Sequence, residues 1–91
     1  MLNVRVVYIG KQLKVLRYRN TYLVVRIDKG LHSQHGHFKS YHGAKEFVSL
    51  IESGYLPYSA YYRECARRLL TEKEYAELKT HKERIDRENV R

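Results

Sequence analysis

The chain is poor in the residues that staple, break or anchor a fold. It has one cysteine, one proline and no tryptophan. A lone Cys65 cannot close an internal disulfide, which excludes the disulfide-framed class of small secreted domains. One proline and five glycines exclude collagen-like and low-complexity chains. No stretch approaches the roughly 18 consecutive apolar residues that cross a bilayer, so no membrane partner is expected. The opening Met1-Leu2-Asn3-Val4-Arg5 lacks the apolar run of a secretory leader. With the single thiol, this points to a cytoplasmic setting.

Negative charge is also scarce. Eighteen Lys and Arg face ten Asp and Glu, a net charge of +8. Most of the excess lies in the first 30 residues, where Arg5, Lys11, Lys14, Arg17, Arg19, Arg26 and Lys29 face only Asp28. Residues 31–54 are balanced, and residues 55–91 are nearly so. A one-sided basic field concentrates polyanions around it. Solubility alone needs no such asymmetry.

The 91 residues, 43% hydrophobic and 31% charged, suit a single globular domain spanning 1–91. The pattern divides at about residue 40 into a β meander (1–40) and a helical part (41–89). Asn3–Ile9 is valine-rich and reads as a strand; Gly10-Lys11 is a two-residue turn, and Gln12–Tyr18 a second strand. Arg19-Asn20-Thr21 is a turn in which Asn20 tolerates positive φ, and Tyr22–Asp28 is a third strand. His37–Lys39 adds a short fourth. With a three-residue loop at 19–21, Val4, Val6, Tyr8, Leu13, Val15, Leu23, Val25 and Ile27 share a core face with Arg17. Arg5, Val7, Ile9, Lys14, Leu16, Tyr18, Tyr22, Val24 and Arg26 then share the opposite face. A two-residue loop would flip the third strand and bring Arg26 to the core face.

Three helices follow. Ala44, Phe47, Val48 and Ile51 recur at helical spacing, and Gly54 suits the position after the helix end. Ser59 caps a second helix with the stripe Tyr62, Cys65, Ala66 and Leu69. Thr71-Glu72-Lys73-Glu74 matches a capping box and opens a third helix to Glu88, supported by the pairs Lys79–Glu83 and Glu83–Arg87. The expected class is α+β: an N-terminal three- to four-stranded antiparallel meander followed by three helices packed on one face.

Three constellations bear on function. The first is the basic, tyrosine-bearing sheet surface. Arg5, Lys14, Arg17, Arg19 and Arg26 can neutralise phosphates while Tyr18 and Tyr22 stack on bases. The second is the cluster His32, His35, His37 and His42. Imidazoles bind zinc, but no common ligand spacing, thiolate or carboxylate accompanies them, so no metal and no cofactor is expected. They can also act as acid and base on an RNA 2′-hydroxyl, with His35 and His37 the candidates if the chain is an enzyme. The third is the joint between the second and third helices, which has the outline of a helix-turn-helix, although the last helix carries as many acids as bases. Tyr55, Tyr58 and Tyr61 form an aromatic group with interface character.

These features predict a small, bacterial-type, non-enzymatic accessory protein, a monomer or homodimer. It would bind nucleic acid, RNA or single-stranded DNA ahead of duplex. The rival is a protein-binding adaptor or inhibitor that sets its basic, tyrosine-rich surface on an acidic partner. A His-dependent, toxin-like ribonuclease is the third reading.

Overall fold

The computed structural model describes residues 3–80. Its order is β1 (Val4–Ile9), β2 (Leu13–Tyr18), β3 (Thr21–Arg26), β4 (Gly36–Phe38), α1 (Tyr41–Glu52), β5 (Tyr55–Leu56), α2 (Ala60–Leu69), α3 (Glu72–Ala76) and β6 (Lys79–Thr80). Strands β1 to β4 form one antiparallel sheet in chain order. Helix α1 crosses β2, β3 and β4 on one face, and α2 lies along β4. The α+β class and the helices on one face are as expected. Among the described residues no helix is long and apolar enough to cross a membrane.

The register is not the expected one. Tyr18 pairs with Thr21, so the β2–β3 turn holds two residues, Arg19 and Asn20. Thr21 Oγ1 donates back to the Tyr18 carbonyl at 3.0 Å. The residue with positive φ is Arg19, at 57°, rather than Asn20. Since side chains alternate faces, losing one loop residue turns β3 over. A second slip lies in β1, where a bulge between Val6 and Tyr8 shifts the pairing. Together these place Arg5, Tyr8, Leu13, Val15, Arg17, Tyr22, Val24 and Arg26 on the helix-covered face. Val4, Val6, Ile9, Lys14, Leu16, Tyr18, Leu23 and Val25 lie on the other. The alternation could not decide this, because Leu23 and Val25 are as apolar in one parity as Val24 is in the other. Tertiary contacts decide. Val24 joins the main core with Leu13, Val15, Phe38, Phe47 and Cys65, while Leu16, Leu23 and Val25 form a small second core with Tyr18 and Leu31.

Helix ends follow the expected chemistry. Ala44, Phe47, Val48 and Ile51 are the buried residues of α1, and Gly54 takes φ 85° just past its end. Ser40 caps the start by accepting from Gly43 N–H at 3.0 Å, a signal the sequence reading missed. Ser59 caps α2, where Cys65, Ala66 and Leu69 are buried. The Thr71–Glu74 capping box is complete. Helix α3 is much shorter than expected and stops at Ala76. Tyr75 and Leu78 pack on the core, and Lys79 N–H donates to Gly54 C=O at 2.9 Å, which draws the chain into a parallel pairing of β6 with β5. The expected continuation to Glu88, with its pairs at Glu83 and Arg87, lies outside the described residues.

Two carboxylates tie the helices to the sheet. Glu52 Oε2, at the end of α1, accepts from the backbone N–H groups of Lys11, Gln12 and Leu13 at 2.7, 2.6 and 3.0 Å. The β1–β2 turn therefore centres on Lys11-Gln12, one residue later than expected, with Gly10 N–H donating to Leu13 C=O at 2.8 Å. A Cβ on Gly10 would stand 2.5 Å from the Glu52 carboxylate, so a larger residue there would push the carboxylate from its place on the turn. Glu74 holds Arg26 in a fork, Oε1 to Nη1 at 2.8 Å and Oε2 to Nη2 at 3.1 Å. Arg26 Nη1 also donates to Leu69 C=O at 3.0 Å, and Thr71 N–H donates to Glu74 at 2.8 Å. One ion pair thus pins the α2–α3 joint to β3.

Both ties are testable. Glu52→Ala should lower unfolding free energy by roughly 1–2 kcal/mol in urea titration, because freed N–H groups of an exposed turn regain water. The Arg26 hydrogen bonds, then the Thr71 N–H, hold the Glu74 carboxyl at about 2 against an ordinary 4.5. A depressed carboxyl favours the folded state fully above its unfolded value, and the benefit fades as pH falls toward the folded value. Melting temperature should therefore drop between about pH 4.5 and pH 2. Glu74→Gln should melt lower at neutral pH and lose part of that acid dependence, as followed by circular dichroism.

Candidate nucleic-acid interface

The cations of the sheet are not equivalent. Arg26 is half-buried and committed to Glu74, so it leaves the set of expected phosphate contacts. The same holds for the basic edge of α2. Arg63 Nε donates to Pro57 C=O at 2.6 Å, and Arg67 lies 4.9 Å from the Tyr75 ring centre. Arg68 pairs with Glu64 at 3.2 Å and donates to His35 C=O at 3.1 Å. Arg63 and Arg68 thus hold the fold, while Arg67 is exposed and rests on a ring alone. With α3 only Glu72–Ala76, the α2–α3 joint also lacks a second helix long enough to read a groove.

Arg5, Arg17 and Arg19 differ. Arg5 and Arg17 are directly opposite each other across β1 and β2. Like charges so placed repel. All three are exposed, and the ion pairs among the described residues, Arg26–Glu74 and Arg68–Glu64, include none of them. With Asn3 and Val4 they line a cleft of ≈ 430 Å³ at the end of the sheet. Helix α1 leaves this corner uncovered, and aromatic rings border it. Arg17 lies 5.9 Å from the Tyr22 ring centre, and Tyr22 meets Tyr41 with centroids 6.0 Å apart. Lys45 sits 5.4 Å from the Tyr8 ring centre and 6.0 Å from that of Tyr41. Cations and rings alternate along this strip with no carboxylate among them.

The seven residues expected to bind are thus divided. Arg5, Arg17 and Tyr22 share the helix-side corner; Lys14 and Tyr18 face the opposite side; Arg19 stands at the turn between the two; Arg26 is withdrawn. Tyr8, Tyr41 and Lys45 were missed. Tyr8 keeps its expected face and the bulge brings Arg5 round to join it, while the other two arrive on α1, so no linear spacing signals the group.

Three of the four clustered histidines converge. His32, His35 and His37 line a groove of ≈ 400 Å³ with Tyr18, Arg19, Thr21, Leu23 and Leu31, whereas His42 lies on α1 away from it. His35 Nδ1 is 3.0 Å from the Ser33 carbonyl oxygen. A carbonyl only accepts, so this nitrogen carries a proton and leaves Nε2 as the acceptor of the neutral ring. Tyr61 O–H donates to His37 C=O, fixing β4 beside the groove. Among the described residues, no group of three His, Cys, Asp or Glu side chains is placed to hold a metal ion. Cys65 is fully buried, and burial pushes its thiol up from the ordinary value.

No family model matches this chain, and no curated protein or solved structure shows significant similarity to it.

Arg19 keeps a left-handed backbone that asparagine adopts at lower cost. Arg19→Asn should leave the melting temperature unchanged or slightly raised, measured by differential scanning calorimetry, since the turn loses strain along with one cation–ring contact. A clear drop in melting temperature would mark the Arg19 side chain as a structural support of the turn.

Proposed function

We propose that this protein binds single-stranded nucleic acid, RNA or DNA, through the Arg5–Arg17–Arg19 corner of its sheet, with no chemical step of its own. The observation that carries the reading is the opposed pair Arg5 and Arg17, joined by Arg19 around one cleft and left without an acidic partner among the described residues. A cluster that repels itself is relieved by an anion with several charges, and guanidinium groups match phosphate oxygens two bonds at a time. The bordering tyrosines suit unstacked bases, which a duplex does not present. Arg63 and Arg68 of α2, by contrast, are engaged within the fold, while Arg67 is exposed and rests on the Tyr75 ring.

A second reading draws on a different feature. Val4, Val6, Ile9 and Ile27 are exposed on or beside the sheet, Ile9 by 64%. That apolar surface favours a protein partner. Capture from lysate with and without nuclease treatment separates the two: retention of the partner after nuclease supports the adaptor.

Fluorescence anisotropy with a labelled single-stranded oligonucleotide tests the first reading. Arg5→Ser/Arg17→Ser should weaken binding by about 1–3 kcal/mol and flatten the salt dependence by about 1.4 in log K against log salt. Lys29→Ser/Lys73→Ser removes equal charge from exposed sites elsewhere and should do much less. Equal losses would reduce the interaction to diffuse charge; absence of binding at low salt would defeat the reading.

A further inference from the structure

The basic cleft and the histidine groove meet at one residue. Arg19 lines both, and its guanidinium lies 5.1 Å from the ring centre of Tyr18, which also lines the groove. We propose that the groove receives one unpaired base of the strand whose phosphates lie on Arg5, Arg17 and Arg19, so that the strand bends around the β2–β3 turn from one side of the sheet to the other. This inference rests on the nucleic-acid reading above and adds a base subsite to it.

The groove has the chemistry of a base rather than of a phosphate. Leu23 and Leu31 supply apolar surface, and Tyr18 supplies a ring for stacking. The imidazoles of His32, His35 and His37 supply nitrogens at the wall, where a base edge needs donors and acceptors. His35, with Nδ1 committed to Ser33 C=O, offers an acceptor suited to an exocyclic amine. No carboxylate lines the groove, so nothing there repels the phosphate that must enter with the base. A volume of ≈ 400 Å³ falls within the range of small-ligand pockets. The wall is held in advance of binding. Arg68 takes the His35 carbonyl at 3.1 Å and Tyr61 takes the His37 carbonyl. Such preorganisation reduces the ordering cost of capture. The position of Arg19 fits as well. A bulky residue in a left-handed turn is strained, and strain of this kind collects where function requires a side chain at a set place.

The test compares two labelled strands of roughly ten nucleotides, one of normal single-stranded DNA and one of the same length with abasic sugars throughout. The wild-type protein should prefer the intact strand by at least about tenfold, the yield of one well-stacked base plus whatever the rings bordering the cleft add. Tyr18→Leu keeps the apolar packing of the second core and removes the stacking ring; it should cut that ratio about tenfold without altering the salt slope. Leu31→Ser should do the same, and Tyr18→Leu decides alone if Leu31→Ser fails to fold by circular dichroism. Arg5→Ser/Arg17→Ser should weaken both strands alike and preserve the ratio. Equal wild-type affinity for the two strands would overturn the base subsite while leaving phosphate binding in place. A ratio that is unchanged in Tyr18→Leu would overturn it too, by locating the base elsewhere. Failure of both strands to bind would overturn the nucleic-acid reading itself, and the subsite with it.

Discussion

The pairing of Tyr18 with Thr21 governs most of this structure. With two residues in the β2–β3 turn, every side chain of β3 has its face assigned. Val24 enters the main core under α1. Arg26 reaches the capping carboxylate of Glu74 and the carbonyl at the end of α2. Tyr22 meets Tyr41 on the incoming helix. Leu23 and Val25 turn away and, with Leu16, make a second apolar layer beneath Tyr18 and Leu31. One more loop residue would exchange all of these at once. The alternative would bury Leu23 and Val25 against the helices but strand Arg26 on the far side, leaving Glu74 with no cation there.

The same register sorts the basic residues into two kinds. Arginines that meet backbone carbonyls or carboxylates from other elements become structural: Arg26 at the α2–α3 joint, Arg63 at Pro57, Arg68 at His35. At the end of the sheet, Arg17 and Arg19 meet tyrosine rings, and among the described residues neither they nor Arg5 enters an ion pair. A guanidinium on a tyrosine ring keeps most of its donors available, because the attraction uses the ring face rather than hydrogen bonds. Arg17 over Tyr22 and Arg19 over Tyr18 are therefore oriented yet unsatisfied. That combination, with Arg5 opposed to Arg17, is what supports the proposed phosphate contact at this corner.

The β bulge at Val7 contributes as much as the turn. Without it Val6 would stand opposite Arg17, and Arg5 would point to the other side. With it, Arg5 shares a face with Arg17 and with Tyr8, whose ring lies beside Lys45, and the basic corner acquires its aromatic border. The exposed edge strand is also kinked by the bulge, which discourages indiscriminate strand addition.

Much of the fold is legible locally. Ser59, the Thr71–Glu74 box, Gly54 and the stripe Ala44–Phe47–Val48–Ile51 act through groups within a few residues of each other, so their spacing in sequence is their spacing in space. The concentration of positive charge in the first 30 residues, and with it the polyanion reading, likewise needs no coordinates. The register did not emerge, because β3 is apolar in both parities and its alternation offers no preference. The Glu52 clasp on the β1–β2 turn and the early end of α3 depend on partners about 40 residues away or on Gly54 docking against Lys79. Long-range contacts of this kind decided which arginines the fold engages and which it leaves exposed. A cation's role is set by whatever acceptor lies within hydrogen-bond reach, and only the tertiary structure brings that acceptor there.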